Sequence, residues 1–189
     1  MILNNNELAD RMFRQRDNDR RLSIVPEPSE VQFVTEGGAS INLHLGRWFR
    51  SMKQANIPYL QINRDDKDLE ISKETFIAFG NEFYLHPGKF VLGGTLEWLA
   101  VPGDLAAYVT GKSSLARRGL IIETSAGVHP GFAGCLTLEL ANVGELPIAL
   151  IPGMEICQVF FHQASSHHAG ALSQFKGRRK PGLGTVRIS

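Results

Sequence analysis

A mainly β fold, a sandwich or barrel, is predicted on three observations. Short apolar runs from Phe83 onward are cut by turn signals at Pro87-Gly88, Gly93-Gly94 and Pro102-Gly103, with the series continuing through Pro147 and Pro152-Gly153; short strands between closely spaced turns are typical of all-β domains. Two runs alternate with the period of a strand: Ile41, Leu43 and Leu45, then Leu136, Leu138 and Leu140. The pattern lacks the strand-then-helix repeat of βαβ units. At 189 residues the chain fills one good core and falls short of two ordinary domains. A single domain over 1–189 is expected.

The elements follow in order. Asn4 to Asn6 offer N-caps, and Glu7 to Gln15 carry Leu8, Met12 and Phe13 on one face, so one amphipathic helix is predicted, ending near Asp17. Arg20 to Ile24 lead into Pro26 and Pro28, which favours extended chain. Ala39 to Leu45 reads as a strand. Met52 to Ser72 is polar and irregular, a surface excursion. Strands and turns then alternate up to the apolar run Ile156 to Phe161. From about residue 163 the chain becomes rich in Gly and basic residues with little periodicity, the composition of a flexible tail.

Composition narrows the function. The formal net charge of +1 shows no basic excess for a nucleic-acid polymer. No stretch approaches the roughly 20 apolar residues of a membrane helix, and MILNNNELADRMF lacks the apolar run of a signal peptide. A cytoplasmic location without a membrane partner is the expectation. Cys135 and Cys157 lie in apolar runs and read as small buried hydrophobes rather than a disulfide.

Chemistry concentrates between Gly111 and Leu140. Lys112, Ser113, Ser114, Arg117 and Arg118 fall within seven residues. Their charge and hydroxyl donors suit phosphate, and the same cluster also suits a plain solvated turn. It is not a Walker loop, because GxxxxGK followed by Ser or Thr is absent. Glu139 alternates with leucines and so points to the opposite face of its strand. It is either on a solvated face or buried for a purpose. A nearby Arg117 would keep a buried carboxyl ionised, as a general base requires. The six histidines are scattered. His129 sits in a Pro-Gly turn, and the pair His167-His168 reads as solvated. The His-x-Glu and Pro-Cys-x-x-Cys signature of zinc deaminases is missing. In the tail, Phe175, Lys176, Arg178, Arg179 and Lys180 form either a cover for an anion or a free basic end.

These residues resemble one family, the dCTP deaminases of the dCTP deaminase/dUTPase superfamily. GKSSLAR at 111–117 is similar to the family's G(K/R)SSL(A/G)R. HPGFAGCLTLELANVGELPIALIPGMEICQ at 129–158 resembles DPG(F/W)xGxxxLEhxNxxxLPhxLxPGMxIxQ, where h is apolar. FYLHPGKFVLGGTLE at 83–97 resembles FxLxPGxFxLxxTxE, and ASINLHLG at 39–46 resembles ASIDVRLG. Four motifs in order span nearly the whole chain.

The resemblance implies a dUTPase-like distorted β-barrel (β-clip) with an N-terminal helix and a flexible C-terminal tail. It implies a homotrimer with sites between subunits, and zinc-independent hydrolysis of dCTP to dUTP and ammonia, with Mg2+ accompanying the triphosphate. By position, Glu139 is implied as general base and acid, with Ser113 and Arg117 placing water or phosphate. Lys112, Ser113, Ser114, Leu115, Ala116 and Arg117 are implied to hold the triphosphate across a subunit boundary. Thr137 and Leu138 would line the pyrimidine, and Ala126, His129, Gln158, Gln174, Phe175 and Arg178 would contact substrate.

Departures from the family pattern accompany it. His129 stands where the family's TAGFIDPGF has aspartate, with one residue fewer, which argues against diphosphate release. Asn42 replaces the aspartate of SIDVRLG. QFKGRRKP at 174–181 differs from KYQGQRGP, with Gln174 for lysine, Phe175 for tyrosine and Arg178 for glutamine. Two rival readings stay open: a dUTP diphosphatase or bifunctional enzyme releasing dUMP and pyrophosphate, and a catalytically silent nucleotide-binding protein of the same fold.

Overall fold

A computed structural model describes residues 1–53, 59, 71–123, 127–167 and 176–184. Eleven named strands and three short α-helices cover most of them: α1 (Asn5–Ala9), β1 (Ser23–Val25), α2 (Glu30–Glu36), β2 (Ile41–Met52), β3 (Ser72–Phe76), β4 (Phe83–Leu85), β5 (Phe90–Ala100), β6 (Leu105–Gly111), α3 (Ser113–Ala116), β7 (Leu120–Glu123), β8 (Gly127–Val128), β9 (Ala133–Asn142), β10 (Ile148–Leu150) and β11 (Glu155–Gln163). The predicted mainly β architecture is what the chain forms.

Nine strands make one antiparallel sheet in the order β7-β9-β5-β2-β11-β6-β8, with β1 added to β5 and β3 to β2. A separate pair joins β10 and β4. The sheet curls until the end of β6 meets β7, where a Cβ on Gly111 would stand 3.2 Å from Ile122 Cβ. Register shifts between Leu45 and Phe49 and between Gly94 and Trp98 supply local bends. The core lies inside the curl: Leu43, Leu45, Phe49, Leu138, Leu140, Ile156, Val159 and Phe161 are fully buried. Each such side chain contributes about 1.5–3 kcal/mol by leaving water. Phe49 stacks on Phe83 with centroids 4.6 Å apart.

Several local expectations are revised. The N-terminal helix is shorter than predicted: α1 ends at Ala9 and continues as a π-helical turn, Asp10–Arg14. Its start is as read, with an Asn4–Glu7 capping box of 3.0 and 2.8 Å. The polar stretch that follows leaves Leu22 and Ile24 to enter the core instead. Asn5 is buried and donates to Phe33 O and Gly37 O, which ties α1 to α2, a helix not predicted above although Ser29 caps it. Gly93-Gly94 is not a turn but the interior of β5. A Cβ on Gly93 would come within 3.0 Å of Leu140 Cδ1 and 3.2 Å of Leu45 Cδ1, so a side chain there would have to push both leucines aside. The excursion read between Met52 and Ser72 falls mostly outside the described residues, and the two residues that bracket it end β2 and begin β3.

Candidate active site

β9 is the strip on which the site is built. Leu136, Leu138 and Leu140 face the core, while Cys135, Thr137 and Glu139 occupy the half-buried face, as the alternation predicts. Glu139 is in register with Leu92 of β5 on one side and Glu123 of β7 on the other. The described pairing of β7 with β9 runs from Leu120–Asn142 to Glu123–Glu139. Further along β9 the C-terminal segment is bonded to it: Cys135 N donates to Arg178 O (2.9 Å) and Gly177 N donates to Ala133 O (2.7 Å). Arg178 therefore lies four residues, roughly 14 Å, along the strand from Glu139.

The same segment then crosses the half-buried face. Arg179 lies over the Trp98 ring at 5.6 Å and Lys180 over Trp48 at 3.7 Å. Lys180 Nζ also pairs with Glu74 (3.2 Å), and Arg50 Nε donates to Pro181 O (3.1 Å). Residues 176–184 thus follow the sheet surface, with their basic side chains exposed.

The cation and hydroxyl cluster adjoins the other end of β9. The chain leaves β6 at Gly111, forms the single turn α3 and re-enters the sheet as β7, with which α3 packs. Gly119 makes that corner tight. It has φ +87° and sits so close to Gly144 that a Cβ would fall 2.8 Å from Gly144 N. Ser113, Ser114, Ala116 and Arg117 are exposed and Leu115 is half-buried. Among the described residues the Arg117 side chain makes no hydrogen bond or ion pair, and neither Ser113 nor Arg117 bonds to Glu139. Arg118 Nη1 is spent on Ser114 O (2.7 Å).

Lys112 is engaged. Its Nζ binds Glu155 Oε2 at the start of β11. Lys112's hydrogen bond and charge hold the Glu155 carboxyl below its usual range, with smaller help from His44 and Asn42 and against the cost of partial burial. Behind this pair lies a second. His44 Nδ1 is 2.6 Å from Glu97 Oε1, and the His44 backbone N–H donates to both oxygens of that carboxylate (2.9 and 3.2 Å). Glu97 is 4% exposed, so these bonds answer its burial. Neither pair was legible in the sequence. Glu155 falls at a variable position of its motif, and Glu97, the fixed last residue of FxLxPGxFxLxxTxE, is singled out by the motif while its partner is not.

The remaining predicted residues are scattered. Gln158, half-buried on β11, is in register with Thr110 and Asn42 and accepts from Ser40 Oγ at 3.4 Å. His129 is exposed, and its carbonyl accepts Phe132 N in the Pro-Gly turn. Ala126, Gln174 and Phe175 lie outside the described residues, as does His168. Both cysteines are free; burial pushes the Cys157 thiol up to about 12 and raises that of Cys135. Among the described residues no three His, Cys, Asp or Glu side chains are grouped to hold a metal ion, and no helix is long and apolar enough to cross a membrane. A magnesium ion would have to bring most of its oxygen ligands from a bound phosphate and water.

The arrangement offers a half-buried carboxylate between two basic segments, suited to proton transfer on a polyanion. Known proteins resemble the chain over most of its length. The profile of the dCTP deaminase-like family matches residues 3–164. A protein of Halobacterium salinarum named dCTP deaminase, dUMP-forming, is 43% identical over 160 residues, 84% of this chain and 81% of that one. A dCTP deaminase of Haloarcula marismortui is 40% identical over 164 residues, covering 84% of each chain. Among solved structures, the 2'-deoxycytidine 5'-triphosphate deaminase of Agrobacterium tumefaciens aligns with a TM-score of 0.53 at 23% identity, over 67% of this chain. This chain spans 40% of that one, and the likeness is one of fold.

Proposed function

The chain belongs to the dCTP deaminase-like family, and from that premise we propose that it hydrolyses the exocyclic amine of dCTP. The observation that carries the reading is the placement of Glu139. It shares the half-buried face of β9 with Thr137, between the α3 cluster and the segment bearing Arg178.

In this reading Glu139 takes a proton from a water that adds to C4 of cytosine. It returns protons to the ring and to the amine, the C4–N bond breaks, and ammonia leaves a uracil nucleotide. Thr137 and Leu138 line the base. Lys112, Ser113, Ser114 and Arg117 hold the phosphates, with Mg2+ carried by the triphosphate. Exposure of Ser113 and Arg117 on one protomer suits a site completed by a neighbouring copy in a homotrimer. His129, Gln158 and Arg178 are assigned substrate contacts by position, together with Ala126, Gln174 and Phe175.

The fate of the phosphates separates two readings. His129 in place of aspartate favours release of dUTP. The name of the Halobacterium relative, dUMP-forming, favours a bifunctional route that also breaks the α–β phosphate link. The test is a product assay with dCTP, dCMP and dUTP, each with magnesium, separating nucleotides by ion exchange and measuring ammonia and pyrophosphate. Ammonia with dUTP supports the first reading; ammonia with dUMP and pyrophosphate supports the second. Binding of dCTP without any product would leave only a silent nucleotide-binding protein.

A further inference from the structure

Of the three cations around α3, Lys112 is the one neutralised by a carboxylate. Arg117 is exposed without a partner among the described residues, and Arg118 is turned to the Ser114 carbonyl. Lys112 alone is bound to Glu155. Its side chain is 22% exposed and that of Glu155 is 47% exposed, so the pair sits at the mouth of the cluster rather than in the core.

Glu155 is otherwise loosely held. Its other hydrogen bond comes from Asn42 Nδ2, at 3.4 Å. The charged groups around it belong to three other strands or strand ends: Lys112 after β6, His44 opposite it on β2, and Glu97 of β5 behind His44. A carboxylate so exposed returns to water at small cost, while Lys112, anchored at the end of β6, stays where it is.

We propose that Glu155 is the resident counter-ion of Lys112: it occupies the ammonium while the site is empty and yields it to the phosphates of the nucleotide. Glu155 thereby sets the affinity for phosphorylated ligands by competing with them. The proposal rests on reading Lys112 as a phosphate ligand. An exposed ion pair of this kind is a weak competitor, so its removal should tighten binding modestly, and in proportion to phosphate number.

The experiment measures dissociation constants by calorimetry for dCTP, dCMP and deoxycytidine with magnesium, on the full chain, with Glu139→Gln present in every protein compared (the reference included) so that no nucleotide is turned over. Glu155→Gln is expected to bind dCTP about 2–5-fold more tightly than the reference, dCMP with a smaller gain, and deoxycytidine unchanged. Glu155→Asp should behave like the reference. In a Lys112→Met background, Glu155→Gln should have no further effect, since the two residues act through one contact. General damage would loosen binding instead, so the sign discriminates. If Lys112→Met weakens dCTP binding while Glu155→Gln leaves it unchanged or weaker, the counter-ion role is overturned and the phosphate-ligand reading survives. If Lys112→Met does not weaken dCTP binding, both are overturned.

Discussion

Asn142→Ala should destabilise the protein by about 3 kcal/mol, although Asn142 is not among the predicted substrate-binding residues. The residue is 1% exposed at the end of β9. Its Nδ2 donates to Leu85 O and Leu146 O, both at 2.8 Å, and its Oδ1 accepts Gly144 N at 2.9 Å. One side chain thus joins β4, the loop after β9 and the corner where Gly119 packs on Gly144. Alanine leaves two carbonyls and one N–H without these partners, and each bond is worth about 1 kcal/mol net. The assay is equilibrium urea unfolding at one fixed protein concentration, because an oligomer's apparent stability depends on concentration. Asn142→Asp is the control. It keeps an acceptor for Gly144 but presents oxygens to two carbonyls, and should be at least as unstable as the alanine variant. A loss below about 1 kcal/mol for alanine, or a stable aspartate variant, would refute the reasoning.

Three further outcomes are expected. Gly46→Ala should cost about 3 kcal/mol or prevent folding, since its Cβ would stand 2.8 Å from Gly94 O and 2.9 Å from Thr95 O, backbone that cannot rotate away; near-wild-type urea unfolding would contradict this. The Glu155 carboxyl is lowered from its ordinary 4.5, chiefly by Lys112. A lowered carboxyl stabilises above its unfolded value and loses that contribution as pH falls through its folded value. Wild type should therefore lose about 0.2–1 kcal/mol more than Glu155→Gln on acidification below about pH 4.5, and equally little between pH 7 and 5. Cys157 is fully buried with its thiol pushed up to about 12. In a Cys135→Ser background the native protein should not react with a disulfide reagent at pH 8, and should titrate one thiol on unfolding.

Much of the fold was legible because strands announce themselves by period. The alternation of Leu136, Leu138 and Leu140 marks the core face of β9 and puts Glu139 on the other face. Elements whose stability is tertiary were not legible. α2 is held by Asn5 reaching from α1, and Gly93-Gly94 reads as a turn unless the packing of Leu45 and Leu140 is known. The site divides the same way. Its chemistry-bearing residues stood together in Gly111 to Leu140, but their pairings come from strands distant in sequence. Lys112 meets Glu155 where β6 ends beside the start of β11, and His44 meets Glu97 between the neighbouring strands β2 and β5. The path of Arg178 to Pro181 over Trp98 and Trp48 joins the C-terminal segment to β2 and β5, contacts that no local pattern encodes.

The central claim is that Glu139 moves the protons of a deamination. The direct measurement is ammonia release from dCTP by wild type and by Glu139→Gln, each first shown by calorimetry to bind the nucleotide. The account predicts turnover by wild type and a loss of roughly 10²–10⁴-fold in the variant, the range for a general acid–base, with dCTP still bound. Comparable turnover by the variant would contradict the assignment of Glu139, and no ammonia from wild type that binds dCTP would contradict the reaction itself.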